Sequence, residues 1–339
     1  MRPSSLDAET MSIPLNEKKH SEAPLIAFTL CTPAAVGIAA LAALLGFRTP
    51  GVAACLLAAA SLALATVGML ASVFHLAKPL RAPFSLRHFS SSWLSREIVA
   101  VAAFWLFDAA WLLGCLLPDD AVLVAGEGLA ATSGVALLFV ITRAYHVPTR
   151  PAWTGVEGLL ELVAAACGAG SGVVLLCLFG SLALEGLGAA PSATSIVEPA
   201  LFAARLATLC AVQIAAFALD VASHRLRRVR LAAMAEASDE RIPLTLANYD
   251  KLRPILRKAW TVEGMAAVSA CIFCAVAAIH AIASPETVGT DSLFAPNGSL
   301  VAMGICLALA SLQFAAHGLQ RWLFYEIPVP VRFVAALRK

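Results

Sequence analysis

The chain has 339 residues, 60% of them hydrophobic and 14% charged, with a mean hydropathy of +0.82 and a formal net charge of +2. Ordinary soluble domains carry about a quarter charged residues, so a fold that turns this composition toward water is excluded. The small net charge gives no electrostatic footprint for nucleic acid.

In chain order the first 23 residues (MRPSSLDAETMSIPLNEKKHSEA) form a polar tail of mixed charge. It has no apolar core or small-residue cleavage site, so no cleaved signal is expected and the first apolar run serves as the insertion signal. A bilayer core of about 30 Å needs roughly 20 apolar residues per helix. Eight runs meet that length: 24–46, 52–77, 96–117, 121–143, 156–184, 199–221, 260–283 and 299–320. They are apolar on all faces, where the strands of a barrel would alternate. The sequence therefore predicts an all-α integral membrane protein, a bundle of eight transmembrane helices. Its expected parts are a tail (1–23), a membrane domain (24–325) and a second tail (326–339).

Charge sets the expected orientation. Of the 24 lysines and arginines only Arg48 and Arg205 fall away from one side of an eight-span topology. Basic residues concentrate in cytoplasmic loops, so both termini are expected on the cytoplasmic side. The longest cytoplasmic stretch, 222–259, is read as a basic loop that touches anionic lipid or a partner. All nine cysteines fall inside predicted spans, where Cys behaves as a small hydrophobe. Cys271 and Cys274 make a CxxC, but its spacing on a membrane helix carries no metal or redox assignment. GAGSG (168–172) offers small residues for close helix packing.

Ionisable groups inside spans are costly and therefore functional candidates. Asp108 lies three helical turns after Glu97, and Arg205 reaches a similar depth from the opposite surface. An Asp108–Arg205 ion pair is one expectation and a proton relay through Asp108 the other. Residues 74–98, FHLAKPLRAPFSLRHFSSSWLSREI, interrupt the apolar pattern between the second and third helices. Pro79 ends one helix, Ser92 or Ser95 caps the next, and Lys78, Arg81 and Arg87 are cytoplasmic-side charges. His75 and Glu97 are left over, at the same membrane depth on consecutive helices.

FHLAKPLRA followed by SWLSREI resembles the membrane anchor subunit of dimethyl sulfoxide reductase, distantly similar to polysulfide reductase membrane subunits. RAYHVPTRPAW (143–153), QRWLFYEIP (320–328) and PLIAFTLCTPAAVG (24–37) resemble further segments of that family in order. Ala77 and Gln320 stand where the family often has Gly. The resemblance implies a non-catalytic anchor that holds a molybdopterin catalytic subunit and an iron–sulfur electron-transfer subunit, oxidises menaquinol and passes the electrons on. It carries the family's His and Glu onto His75 and Glu97. A histidine and a nearby carboxylate suit a quinol, which must shed two protons with its two electrons. Arg81, Arg143 and Tyr145 lie on the same side and are candidates for holding the quinol. No haem, iron–sulfur cluster or metal site is expected in this chain itself. Two alternatives stay open: a quinone-reducing anchor of a related dehydrogenase, and a secondary transporter with Asp108, Glu161 and Arg205 along its path.

Overall fold

In the computed structural model, residues 22–49, 51–74, 87–117, 119–147, 150–188, 199–235, 241–283 and 296–328 are described. These are almost entirely helical, with no strand among them. The helices are α1 (Ala23–Leu45), α2 (Val52–Phe74), α3 (Trp93–Leu116), α4 (Asp120–Ala144), α5 (Glu157–Gly186), α6 (Pro199–Met234), α7 (Arg241–Ala283) and α8 (Pro296–Glu326). Each contains a stretch long and apolar enough to cross a membrane, as the run lengths predict. The chain is a multi-pass membrane protein.

Local signals set the helix ends. Gly46 takes a left-handed φ of 74°, open to a residue without Cβ, and its N–H closes on Ala42 O at 3.0 Å to stop α1. Asp119 caps α4 by accepting from Ala121 N (3.0 Å) and Val122 N (3.1 Å). Ser92 caps α3 by accepting from Ser95 N at 3.4 Å. Pro33 sits inside α1, tolerated because the neighbouring helices cover the freed backbone.

α1 and α5 are the most deeply buried helices. They lie against each other, with α2, α4 and α8 around α1 and α6 and α8 around α5. Small residues make that centre possible. A Cβ on Gly37 would land on the Ala166 carbonyl, and one on Gly170 would meet the Gly37 backbone at 2.9 Å. Thus GAGSG packs α5 closely on two neighbours, on α1 through Gly170 and on His317 and Gln313 of α8 through Gly168 and Gly172. Without a hydrophobic drive between helices in lipid, such close backbone approach supplies the dispersion contact. All nine cysteines are free thiols within helices.

The main difference from the sequence-based expectation is α6 and α7. The stretch 222–259 is not a loop over 222–234 and 241–259 but helix. With 36 and 43 residues, α6 and α7 run roughly 54 and 64 Å, well past a 30 Å core. Their polar ends are helical without being apolar, so run length alone does not find them. This hairpin folds back on the bundle. Leu231, Ile242, Tyr249 and Leu256 bury against Trp153, Leu323 and Phe324, forming a second core distinct from the one inside the bundle. Asn248 donates to Glu326 O (2.7 Å) and Ile327 O (3.1 Å), closing the end of α8. Arg230 donates to Glu157 Oε1 (2.7 Å) and Pro151 O (3.1 Å), tying the hairpin to the connection before α5.

Candidate functional site

The start of α1 and the end of α8 meet at the same end of the bundle as the hairpin. There the chemistry-bearing residues gather. Glu97 lies in the second turn of α3, placed by the Ser92 cap, and is 6% exposed. Asp108, three turns on, is fully buried on the same face of α3.

Tyr145 ends α4 and brings its hydroxyl within electrostatic reach of Glu97. It accepts a hydrogen bond from the Tyr325 hydroxyl at 2.8 Å, leaving its own proton for a further acceptor. The Tyr325 hydroxyl also lies 3.4 Å from Thr29 Oγ1 and 3.5 Å from Leu25 O, so α1, α4 and α8 join through two phenols. Burial pushes the Tyr145 phenol well above the usual tyrosine value, and the neighbouring Tyr325 and Glu97 push it further. It therefore acts as a neutral donor and acceptor. The ring packs edge-on against Trp153, Phe324 and Tyr325 at 5.6, 5.9 and 6.1 Å. Trp153 stacks on Phe324 at 5.2 Å and donates from Nε1 to Phe324 O at 3.0 Å. RAYHVPTRPAW and QRWLFYEIP, far apart in sequence, are thus two walls of one corner, and the first helix is the third.

Arg143 is not part of this corner. It is exposed, with its guanidinium 5.2 Å over the Trp93 ring, where Arg96 also stacks at 4.4 Å. Arg96 is further held by Phe89 O (3.0 Å) and Ser90 O (2.7 Å). His75 and Arg81 lie outside the described residues. A cavity of about 10 Å³ beside Tyr145, lined by Thr29, Thr142, Arg321 and Phe324, has room for about one water.

A larger buried network joins this corner from the other half of the bundle. Glu161 pairs with Arg227 and lies 3.6 Å from Arg321 Nη1 and 3.5 Å from His224 Nε2. Asp220 accepts from Trp260 Nε1 (2.8 Å) and Gln320 Nε2 (2.9 Å), and Gln320 also donates to Glu263 Oε2 at 2.7 Å. His317 Nδ1 is 2.9 Å from Gln320 Oε1. Arg321 lines the small cavity beside Tyr145 and so links the two groups. Apart from Glu161, sequence reasoning missed this network. The signal was present: Asp220, His224 and Arg227, and likewise Gln313, His317 and Gln320, recur at helical spacing on one face.

The expected Asp108–Arg205 pair does not form. Ser61 Oγ bridges Asp108 Oδ2 (2.7 Å) and the Ala35 carbonyl (3.0 Å), locking α1, α2 and α3 together. Arg205 instead donates to Leu45 O (3.1 Å) and Gly46 O (3.3 Å), with its guanidinium 4.2 Å over Phe47. Equal depth does not fix direction around a helix. α3 packs on α2 and α4, whereas α6 packs on α5 and α7. The long Arg side chain also reaches back to the helix end, where charge is cheaper.

The corner offers a buried carboxyl, a phenol hydroxyl free to donate a hydrogen bond, and a water-sized space at one end of the bundle. Such a set can accept and hand on protons from a hydroxyl-bearing ligand. Residues 17–163 match the family profile described as "DMSO reductase anchor subunit (DmsC)". Among curated proteins, the C subunit of the anaerobic dimethyl sulfoxide reductase of Haemophilus influenzae is 33% identical over 94 residues, covering 27% of this chain and 34% of that protein. The YnfH subunit of an anaerobic dimethyl sulfoxide reductase of Escherichia coli is 34% identical over 89 residues, covering 26% and 31%. The likeness spans about a third of these curated relatives. No solved structure matches the chain. The matched segment contains His75, Arg81, Glu97, Arg143 and Tyr145 but stops short of the hairpin and of QRWLFYEIP, whose likeness rests on its motif alone. Over residues 17–163, from just before α1 into the first turns of α5, this chain resembles the DMSO reductase anchor subunit family.

Proposed function

We propose that the chain is the membrane anchor of a DMSO reductase-like complex in a bacterial cytoplasmic membrane. It binds menaquinol at the end of the bundle that carries Glu97 and Tyr145, which faces the cytoplasm. It passes the electrons to an iron–sulfur subunit, which feeds a molybdopterin catalytic subunit. The single observation that carries the reading is the corner itself: a buried Glu97 near the Tyr145–Tyr325 hydroxyl pair, with Glu97 and Tyr145 inside the segment that matches the family profile.

The chemistry follows from these side chains. Menaquinol becomes menaquinone by losing two protons and two electrons. Glu97 takes one proton from a ring hydroxyl and His75 takes the other. Tyr145, held by Tyr325, donates its proton as a hydrogen bond to a ring oxygen and so fixes the ring. The electrons leave for the partner's nearest iron–sulfur cluster and need no metal in this chain. The water-sized cavity beside Tyr145 is too small for the ring, so the proposal puts the ring against Glu97 and the Tyr145 hydroxyl.

The test uses the assembled complex with two electron donors. Glu97→Gln removes the proton acceptor and keeps the shape. Quinol-driven turnover is expected to fall about 100-fold or more, while turnover driven by a reduced dye stays at the parent rate. Unchanged quinol-driven turnover would overturn the assignment.

A further inference from the structure

Where α6 and α7 leave the apolar zone they enclose a second cavity, of about 190 Å³. Arg225, Arg228, Arg253 and Arg257 line it, with His224 and Trp260. Only Arg228 has a carboxylate at ion-pair distance among the described residues, Asp250 at 2.8 Å. Arg225, Arg253 and Arg257 are exposed, and Arg225 and Arg257 form no ion pair among the described residues. The carboxylates behind the wall are engaged elsewhere: Glu161 by Arg227, and Asp220 by Trp260 and Gln320. His224 is fully buried, and its Nδ1 has no hydrogen-bond partner among the described residues. The cavity is a concave, cationic site with spare donors.

Its depth indicates what fills it. About 20 residues from Pro199 along α6, and from Ala283 back along α7, place the edge of the hydrocarbon near residues 219 and 263. Trp260 then sits at the interface, where tryptophan prefers to lie. The arginines follow one to three turns further out, at the level of headgroups. On the adjoining face of α6, at the same level, Leu226 and Val229 are 48% and 65% exposed, apolar surface that suits a lipid neighbour better than water.

We infer that the α6–α7 cavity is a binding site for the phosphodiester headgroup of an anionic phospholipid, held by Arg225, Arg253 and Arg257 with Trp260 at its membrane side. Guanidinium groups suit the phosphate because their paired N–H donors match its oxygens. The cavity shares no lining residue with the one beside Tyr145, and the inference does not rest on quinol binding.

The experiment is native mass spectrometry of the purified full chain, titrated with phosphatidylglycerol, phosphatidylcholine or inorganic phosphate. Phosphatidylglycerol is expected to bind in preference to phosphatidylcholine. Each of Arg225→Gln, Arg253→Gln and Arg257→Gln is expected to weaken it roughly fivefold, and the triple variant multiplicatively. Lys258→Gln, which removes an exposed charge on α7 outside the cavity, is expected to leave binding unchanged. These side chains are exposed, so the variants should fold, and an unchanged thermal transition checks that. Equal binding of the two lipids, an unaffected triple variant, or an equal effect of Lys258→Gln overturns the proposal. So does inorganic phosphate binding with the same pattern, which assigns a soluble anion. Loss of iron–sulfur subunit co-purification in the triple variant, with lipid binding intact, assigns a protein interface instead.

Discussion

Glu161 lies 5% exposed between two buried guanidinium groups, Arg227 at 1% and Arg321 at 4%. Replacing it by leucine keeps the volume and removes the only carboxylate paired with Arg227 among the described residues. Breaking a buried ion pair by deleting one partner costs about 3–5 kcal/mol, because the survivor remains desolvated. Two arginines share this carboxylate, which puts Glu161→Leu at the upper end of that range. A loss of this size is a large fraction of the roughly 5–15 kcal/mol that stabilises a protein. The assay is reversible unfolding in mixed micelles, with the helical signal as readout. Adding Arg227→Met to Glu161→Leu removes the worst-placed uncompensated charge and is expected to recover at least half of the loss, since apolar replacement of a buried pair is often neutral. A single variant within about 1 kcal/mol of the parent, or a double variant no better than the single, refutes the reasoning.

Three further outcomes follow from the packing. Gly37→Leu pushes a side chain into the Ala166 carbonyl and is expected to cost at least about 1–3 kcal/mol by the same unfolding assay. Gly304→Ala, where a Cβ meets nothing within 4 Å, is expected to be neutral or to gain up to about 1 kcal/mol from helix propensity. Asp108→Asn and Arg205→Ala are expected to add within about 0.5 kcal/mol in a double-mutant cycle, since the two groups share no partner. A coupling above about 1 kcal/mol contradicts the geometry.

The bundle was legible because a run of bilayer length has few other uses, and the lopsided placement of Arg and Lys agreed with eight spans. What lay beyond the apolar runs was not legible. Residues 222–234 and 241–259 are helical through packing on Trp153 and Phe324, contacts that no local pattern announces. Glu97 stands out by its motif and Tyr145 by its side of the membrane, and the two lie within electrostatic reach of each other. The partner that orients Tyr145 is Tyr325, 180 residues away, which only the fold can supply. Arg143 shares that side but stacks over Trp93, because side alone does not say which way a residue faces. The Asp108–Arg205 expectation failed for the same reason, since depth was estimated and direction around the helix was not.

The proposed quinol site is tested most directly by photolabelling. A photoreactive naphthoquinone, competed by excess menaquinone and added to the assembled complex, is expected to attach to peptides holding Glu97 or Tyr145, and Glu97→Gln is expected to reduce that labelling. Competed labelling at the opposite end of the bundle, around Phe47 and Arg205, would contradict the account.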